Sequence, residues 1–416
     1  MLHTVAPLPS RTLAAEGRRW SVERAWPADG EPGVLMVEVA AVPEGHAVPA
    51  EGEPRGPEVA GGTGSRTDRT AAGTPLSRRA RRAGRFWVQA PTESDPPAEH
   101  LELFAAGTDP DMPALEKVAR GGIVIAHEPG RRAVVRHSSG TSSGHAESAG
   151  RANRPGSADR ADETYTVVMP LDRAQTLREG MQHAQAFSGP FRLPRTIAED
   201  ESSATFQALP GISLHRPERF APQEWEAAWD QVLEAWSTAI QHPGELPEST
   251  PVHDAPAEVR RLQRWEEKTR PYIMGADLFE EAVEATCEAL RKLPRGRLIP
   301  AHRELRDEDL LWSPDLGPGL LKVSSAGRAD PALDLGSLRA CARWNELRGL
   351  WEAEQRAVVS RLINDTAYRN GVSDHALRTY EHSALLRLSC QYTFSPSLAD
   401  AAEHLRAELV QAQERR

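Results

Sequence analysis

Lysine is nearly missing from this chain. Of 50 basic residues in 416, four are lysines (Lys117, Lys268, Lys292 and Lys322) and the other 46 are arginines. Chemistry that needs an ammonium group therefore has only four places to occur. Cysteine is almost as scarce: Cys287, Cys341 and Cys390 lie far apart, which excludes a disulfide framework and a zinc cluster. Long apolar runs are also lacking, and none approaches the roughly 18 residues of a membrane span. The start, Met1 to Pro7, has no apolar signal-peptide core, so the expectation is a cytoplasmic protein. Positive charge is in deficit, with 60 Asp and Glu giving a net charge of −10, which argues against a general nucleic-acid binder. What is present is a chain that is 39% apolar with ten tryptophans, enough to bury a sizeable core in two lobes. The arginine excess itself reads as genomic base composition.

The two halves are written differently. In the first, short alternating runs predict strands at Arg19–Trp26, Val34–Val42, Arg85–Gln89 and Leu101–Phe104. A helix is expected over Pro113–Arg120. A hairpin follows, Ile123–His127 and Arg131–His137 around Glu128-Pro129-Gly130, and then a strand at Tyr165–Met169. Leu171–Phe187 reads as a helix and Ala204–Leu209 as a closing strand. Two low-complexity inserts, 43–84 and 138–162, interrupt this half and read as solvated surface segments. After about residue 217 the period becomes helical. Trp225, Trp229, Leu233, Trp236 and Ile240 predict one buried helix face, and Leu278, Ala282, Ala285, Ala289 and Leu293 another. Long helical patterns cover 333–364 and 373–390. The expected fold is α+β, a strand-rich N-lobe over 1–205 and a helical C-lobe over 206–416.

Three local matches carry little. Gly140-Thr141-Ser142-Ser143-Gly144 has the form of a nucleophile elbow without its strand and helix, and Gly61-Gly62-Thr63-Gly64 lacks the rest of a phosphate loop. The run Arg78-Arg79-Ala80-Arg81-Arg82 reads as a solvated loop.

The informative segment is 301–335. It begins His302-Arg303-Glu304-Leu305-Arg306-Asp307-Glu308-Asp309-Leu310-Leu311, continues through Leu320-Leu321-Lys322, and ends Asp330-Pro331-Ala332-Leu333-Asp334-Leu335. It resembles the aminoglycoside phosphotransferase and choline kinase-like branch of the protein-kinase fold. That branch has a loop of type H-G-D-L-H-x-x-N-L-L, a later strand bearing a metal-binding Asp, and G-D-P-x-x-D-L. Upstream, Leu209-Pro210-Gly211-Ile212-Ser213-Leu214 looks like the L-P-G-x-S-L segment after the hinge of that family. The resemblance spans about residues 20–410 and is strongest over 165–345.

It implies a bilobal kinase-like fold with a cleft for ATP and Mg2+. It also puts Glu304 where the catalytic Asp belongs, Asp309 where a magnesium-binding Asn belongs, and Lys322 where the metal-binding Asp belongs. Val167 falls where the nucleotide lysine is expected, and no lysine occurs between Lys117 and Lys268 to replace it. Arg132 or Arg136 on the preceding strand is the available cation, though a guanidinium does not copy an ammonium's geometry. His302 is expected to order the loop, with Arg303 beside it, while Asp330 caps the next helix and Asp334 pins the loop. Phosphoryl transfer rests on positioning and charge neutralisation, so an ammonium at 322 weakens or removes the ATP–Mg2+ site. Three readings follow. The first is a pseudokinase whose cleft takes a nucleotide, small molecule or partner peptide. The second is an active phosphotransferase on a small-molecule or peptide hydroxyl with Glu304 as base. The third is a non-catalytic scaffold or regulatory subunit of a biosynthetic complex. None involves a membrane, and nucleic acid is not an expected partner.

Overall fold

A computed structural model describes residues 5–42, 81–89, 97–138, 163–242 and 246–414. The first half holds two antiparallel five-stranded sheets. The first runs in order through β1 (Thr12–Ala15), β2 (Arg18–Pro27), β3 (Val34–Ala41), β4 (Arg81–Gln89) and β5 (Ala98–Leu103). A short helix, α1 (Ala114–Ala119), leads to the second. That sheet has the order β6 (Ile123–Glu128), β7 (Arg132–Ser138), β8 (Glu163–Val168), β10 (Ser203–Gln207), β9 (Thr196–Glu199), with α2 (Leu171–His183) packed against it. The strand-rich half thus runs to Gln207.

The helical half contains β11 (Ile212–Ser213), α3 (Pro222–Gln241), β12 (Val252–His253), α4 (Ala255–Thr269), α5 (Ala276–Lys292) and β13 (Ile299–Ala301). It continues with β14 (Leu310–Ser313), β15 (Gly317–Leu320), β16 (Gly327–Ala329), α6 (Pro331–Leu347), α7 (Ala353–Arg369), α8 (Asp374–Thr393) and α9 (Ala399–Glu414). The tryptophan face of α3 is buried as its spacing predicts, and Trp225, Trp229 and Trp351 meet edge to face. No described helix is long and apolar enough to cross a membrane. The three cysteines are free and buried, and burial raises their thiols, Cys287 to about 11 and Cys390 to about 12.

Four expectations need correction. The insert assigned to 43–84 ends earlier, because β4 begins at Arg81; its remaining residues, and those of 138–162 apart from Ser138 at the end of β7, lie outside the described set, as do both glycine-rich scraps. Arg81 and Arg82 are strand residues, not loop: Arg81 pairs with Glu23 at 2.9 Å, and Arg82 pairs with Glu16 and lies over Trp20. Alternation hid this, since four arginines in a run mask a period of two. The buried face of α5 is Phe279, Ala282, Val283, Thr286, Cys287 and Leu290, leaving Leu278 47% exposed. The alanines fit two adjacent stripes, and Phe279 with Leu290 decides between them. Finally, 333–364 is two helices, broken where Gly349 turns back with φ +68°.

The first sheet touches both parts of the molecule that follow it. Glu38 on β3 accepts a hydrogen bond from the His127 amide of β6 at 2.8 Å, and Arg24 lies between Glu38 and Glu128. On the other side the Ala25 amide donates to the Phe394 carbonyl at 2.8 Å, Phe394 and Tyr272 join the sheet's own core, and Lys268 pairs with Asp29 at 2.9 Å.

Candidate functional site

The loop 302–309 is held by backbone capture from below. Asp334, at the start of α6, accepts the His302 amide at 2.8 Å and the Arg303 amide at 2.9 Å. Asp330 caps the same helix by accepting the Ala332 amide. His302 is buried, and its Nε2 meets the Leu321 carbonyl at 2.9 Å, tying the loop to the segment that carries Lys322. Asp307 fastens the upstream segment: its Oδ2 meets His215 Nδ1 at 2.6 Å and accepts from Asn345 at 2.7 Å. The two stretches that carry the resemblance, 209–214 and 302–311, are therefore neighbours, with β11 paired to β14.

Lys322 points inward between two carboxylates. Its Nζ lies 2.5 Å from Glu308 Oε1 and 3.0 Å from Asp309 Oδ1. Burial opposes an ammonium, but Asp309 and Glu308 outweigh it and raise the Lys322 pKa above the ordinary lysine value. Burial raises the Asp309 carboxyl, with Lys322 as the chief opposing charge, whereas Lys322 and Arg306 hold Glu308 well below the usual carboxylate range despite its own desolvation. The position is consequently a closed ion-pair cluster. A magnesium ion needs hard oxygen ligands and repels an ammonium, so these residues do not fit the metal that the resemblance implies. Among the described residues, no group of three His, Cys, Asp or Glu side chains is placed to hold a metal ion.

Glu304 is exposed on the loop, and Arg261 of α4 donates to it at 2.6 Å. Desolvation pushes its carboxyl up, but Arg261, Arg306 and Arg387 prevail and hold it at about 2. A general base works best with a pKa near the operating pH, so this carboxylate is a weak proton acceptor. A prediction follows, with its sign set by the depressed value. The Glu304–Arg261 pair contributes stability that is fully present above about pH 4.5 and is lost as pH falls toward about 2. Urea unfolding between pH 6 and pH 2.5 is expected to show Glu304→Gln losing less stability than wild type across that window. Parallel curves would contradict the pairing.

Val167, expected at the place of the nucleotide lysine, is part of an apolar contact. It sits between Val134 of β7 and Ala204 of β10 in the sheet and packs with Leu177, Phe206 and Met181. Kinases place a lysine–glutamate ion pair between strand and helix there; here strand and α2 meet through hydrocarbon. Of the two arginines considered as substitutes, Arg132 lines the cleft and is paired with Glu128 at 2.9 Å, whereas Arg136 does not line it.

The cleft itself has a volume of about 530 Å3 and lies between the β6–β7 turn, α2, the loop at 303–304 and the turn at 324–326. No residue of the hinge segment 208–211 lines it. Only three described non-glycine residues have left-handed backbones; one, Arg303 at φ +69°, lines the cleft, and another, Lys322 at φ +52°, stands two residues before the lining Ser324. Such conformations are uncommon for non-glycine residues and gather at functional sites. Sequence reasoning missed Arg131, Arg173, Arg261 and Gly180, none of which falls in a motif.

No protein-family model and no curated protein matches this sequence. Solved structures do match. Aminoglycoside phosphotransferase APH(3'')-Id from Streptomyces rimosus is 18% identical, with 66% of this chain and 95% of that one covered at a TM-score of 0.45. Choline kinase from Cryptosporidium parvum is 8% identical, with 73% and 93% covered at 0.47. Amicoumacin kinase hAmiN, in complex with AMP-PNP, Ca2+ and Ami, is 12% identical, with 72% and 92% covered at 0.49. These three structures have the protein-kinase-like fold. The likeness is one of fold.

Proposed function

We propose that this chain is a pseudokinase of the aminoglycoside phosphotransferase type, whose cleft binds a small molecule or peptide without transferring phosphate. The observation that carries this reading is the Lys322 ammonium at 2.5 Å from Glu308 and 3.0 Å from Asp309, in the place where the motif alignment puts the metal-binding aspartate. Two features support it. Glu304, at the base position, is neutralised by Arg261 and has little affinity for a proton at neutral pH. Val167 leaves the strand beneath the cleft without a cation for nucleotide phosphates, and Arg132 is occupied by Glu128.

The test is an ATP turnover assay in magnesium, run beside thermal melts with and without the metal. The expected result is no phosphate release above the protein-free blank and no melting shift that requires magnesium. Magnesium-dependent turnover that disappears in Glu304→Ala would overturn the proposal and favour an active phosphotransferase.

A further inference from the structure

Three arginines at the cleft are left without acidic partners. Arg131 projects from the β6–β7 turn, Arg173 from the first turn of α2, and Arg303 from the loop, and all three line the same volume. None makes an ion pair with a carboxylate among the described residues, although the cleft wall contains Glu128, Glu179 and Glu304. Glu128 is taken by Arg132, with Arg24 at 3.9 Å, Glu304 is taken by Arg261, and Glu179 accepts from Gln175. The Nε of Arg303 is buried with no hydrogen-bond partner. An arginine held at φ +69° with an unmet buried donor costs free energy twice over, and both costs fall on the residue facing the cavity.

We infer that this cleft is a metal-independent anion site for a small phosphorylated molecule, gripped by Arg131, Arg173 and Arg303. Guanidinium groups present planar forks that match phosphate oxygens and need no bridging cation. The volume suits a small ligand, and the apolar side chains of Met169, Leu177 and Ala326 give its body a surface. With no hinge residue in the wall, recognition centres on the phosphate group and not on a purine base. The same charges disfavour a polycationic ligand. Two anions compete with a ligand: Glu179 in the wall, bonded among the described residues only to the neutral Gln175, and Asp29 on the β2–β3 turn of the first sheet, which is bound by Lys268 and has its carboxyl held low by that lysine and, more weakly, by Arg131 and Arg173. The inference rests on the reading of a cleft that does not use metal, but it can fail separately.

Calorimetric titration of the full chain with inorganic tripolyphosphate in EDTA tests it. Binding is expected without metal and is expected to weaken with added salt. Arg173→Gln and Arg303→Gly should each weaken it about tenfold or more, the scale of a lost charge-assisted hydrogen bond. Arg303→Gly relieves the left-handed backbone, so its melting temperature should hold while binding falls, a split that a merely structural arginine would not give. Asp29→Asn should tighten binding several-fold. No binding in EDTA, or binding that ignores both arginine variants, overturns the inference. Failure here without ATP turnover leaves the pseudokinase reading intact, whereas turnover with metal-free tripolyphosphate binding retained would sink that reading and spare the site.

Discussion

Replacing Lys322 with aspartate is expected to cost roughly 2–4 kcal/mol of stability in EDTA and to make the melting temperature depend on magnesium. Three carboxylates would then converge, the new one with Glu308 and Asp309, where one ammonium now lies within 3.0 Å of both. Removing one partner of a buried pair typically costs about 3–5 kcal/mol. Lys322 is 45% exposed, so solvent screening moves the figure toward the lower end. The backbone is not the cause, because aspartate tolerates the left-handed region at φ +52° better than lysine does. Three oxygen donors at one point suit a hard divalent cation, and a ligand that binds only the folded state restores stability in proportion to its occupancy. Thermal melts of the variant in EDTA and in millimolar magnesium read both effects. A variant as stable as wild type, and indifferent to the metal, would show that Lys322 does not balance these carboxylates.

Substituting Gly180 by alanine is expected to destabilise the protein by about 3 kcal/mol, against the direction of helix propensity. Alanine inside a helix is ordinarily better than glycine by about 1 kcal/mol. Here α2 lies backbone to backbone on the turn that follows Lys322. A Cβ at position 180 would stand 1.9 Å from the Ser324 carbonyl oxygen and 2.4 Å from its carbon. No rotamer relieves a clash with main chain, so helix or turn must shift by more than an ångström, and overpacking of this kind costs about 1–3 kcal/mol, occasionally more. Urea denaturation with an unchanged m-value and a lowered midpoint is the expected result. A raised midpoint would mean that α2 does not rest on that turn.

Much of this arrangement was legible because it is carried by short spacings. The resemblance implied Asp330 as the cap of the helix and Asp334 as the pin of the loop, and both hydrogen-bond accordingly. His302 and Asp309 share the loop motif, and the bond from His302 to the Leu321 carbonyl brings the neighbouring Lys322 to Asp309. The α3 tryptophans needed only a period of 3.6. What stayed hidden depends on partners far away in sequence. Nothing near Glu304 announces that Arg261, 43 residues earlier, neutralises it. The division of ten strands into two sheets is likewise invisible locally, since β5 and β6 alternate alike and only their pairing separates them. Gly180 resembles any helical glycine until Ser324 is brought against it.

The scarcity of lysine makes the central claim directly measurable. With four lysines in the chain, nitrogen spectroscopy of the side-chain ammonium groups gives a spectrum simple enough for Lys322 to be assigned by its loss in Lys322→Arg. The account predicts an Nζ that stays protonated above the ordinary lysine value of 10.5 and whose resonance is unmoved by magnesium, alone or with ATP. An Nζ that titrates at the ordinary value, or that shifts when magnesium is added, would contradict the placing of this ammonium where a kinase holds its metal.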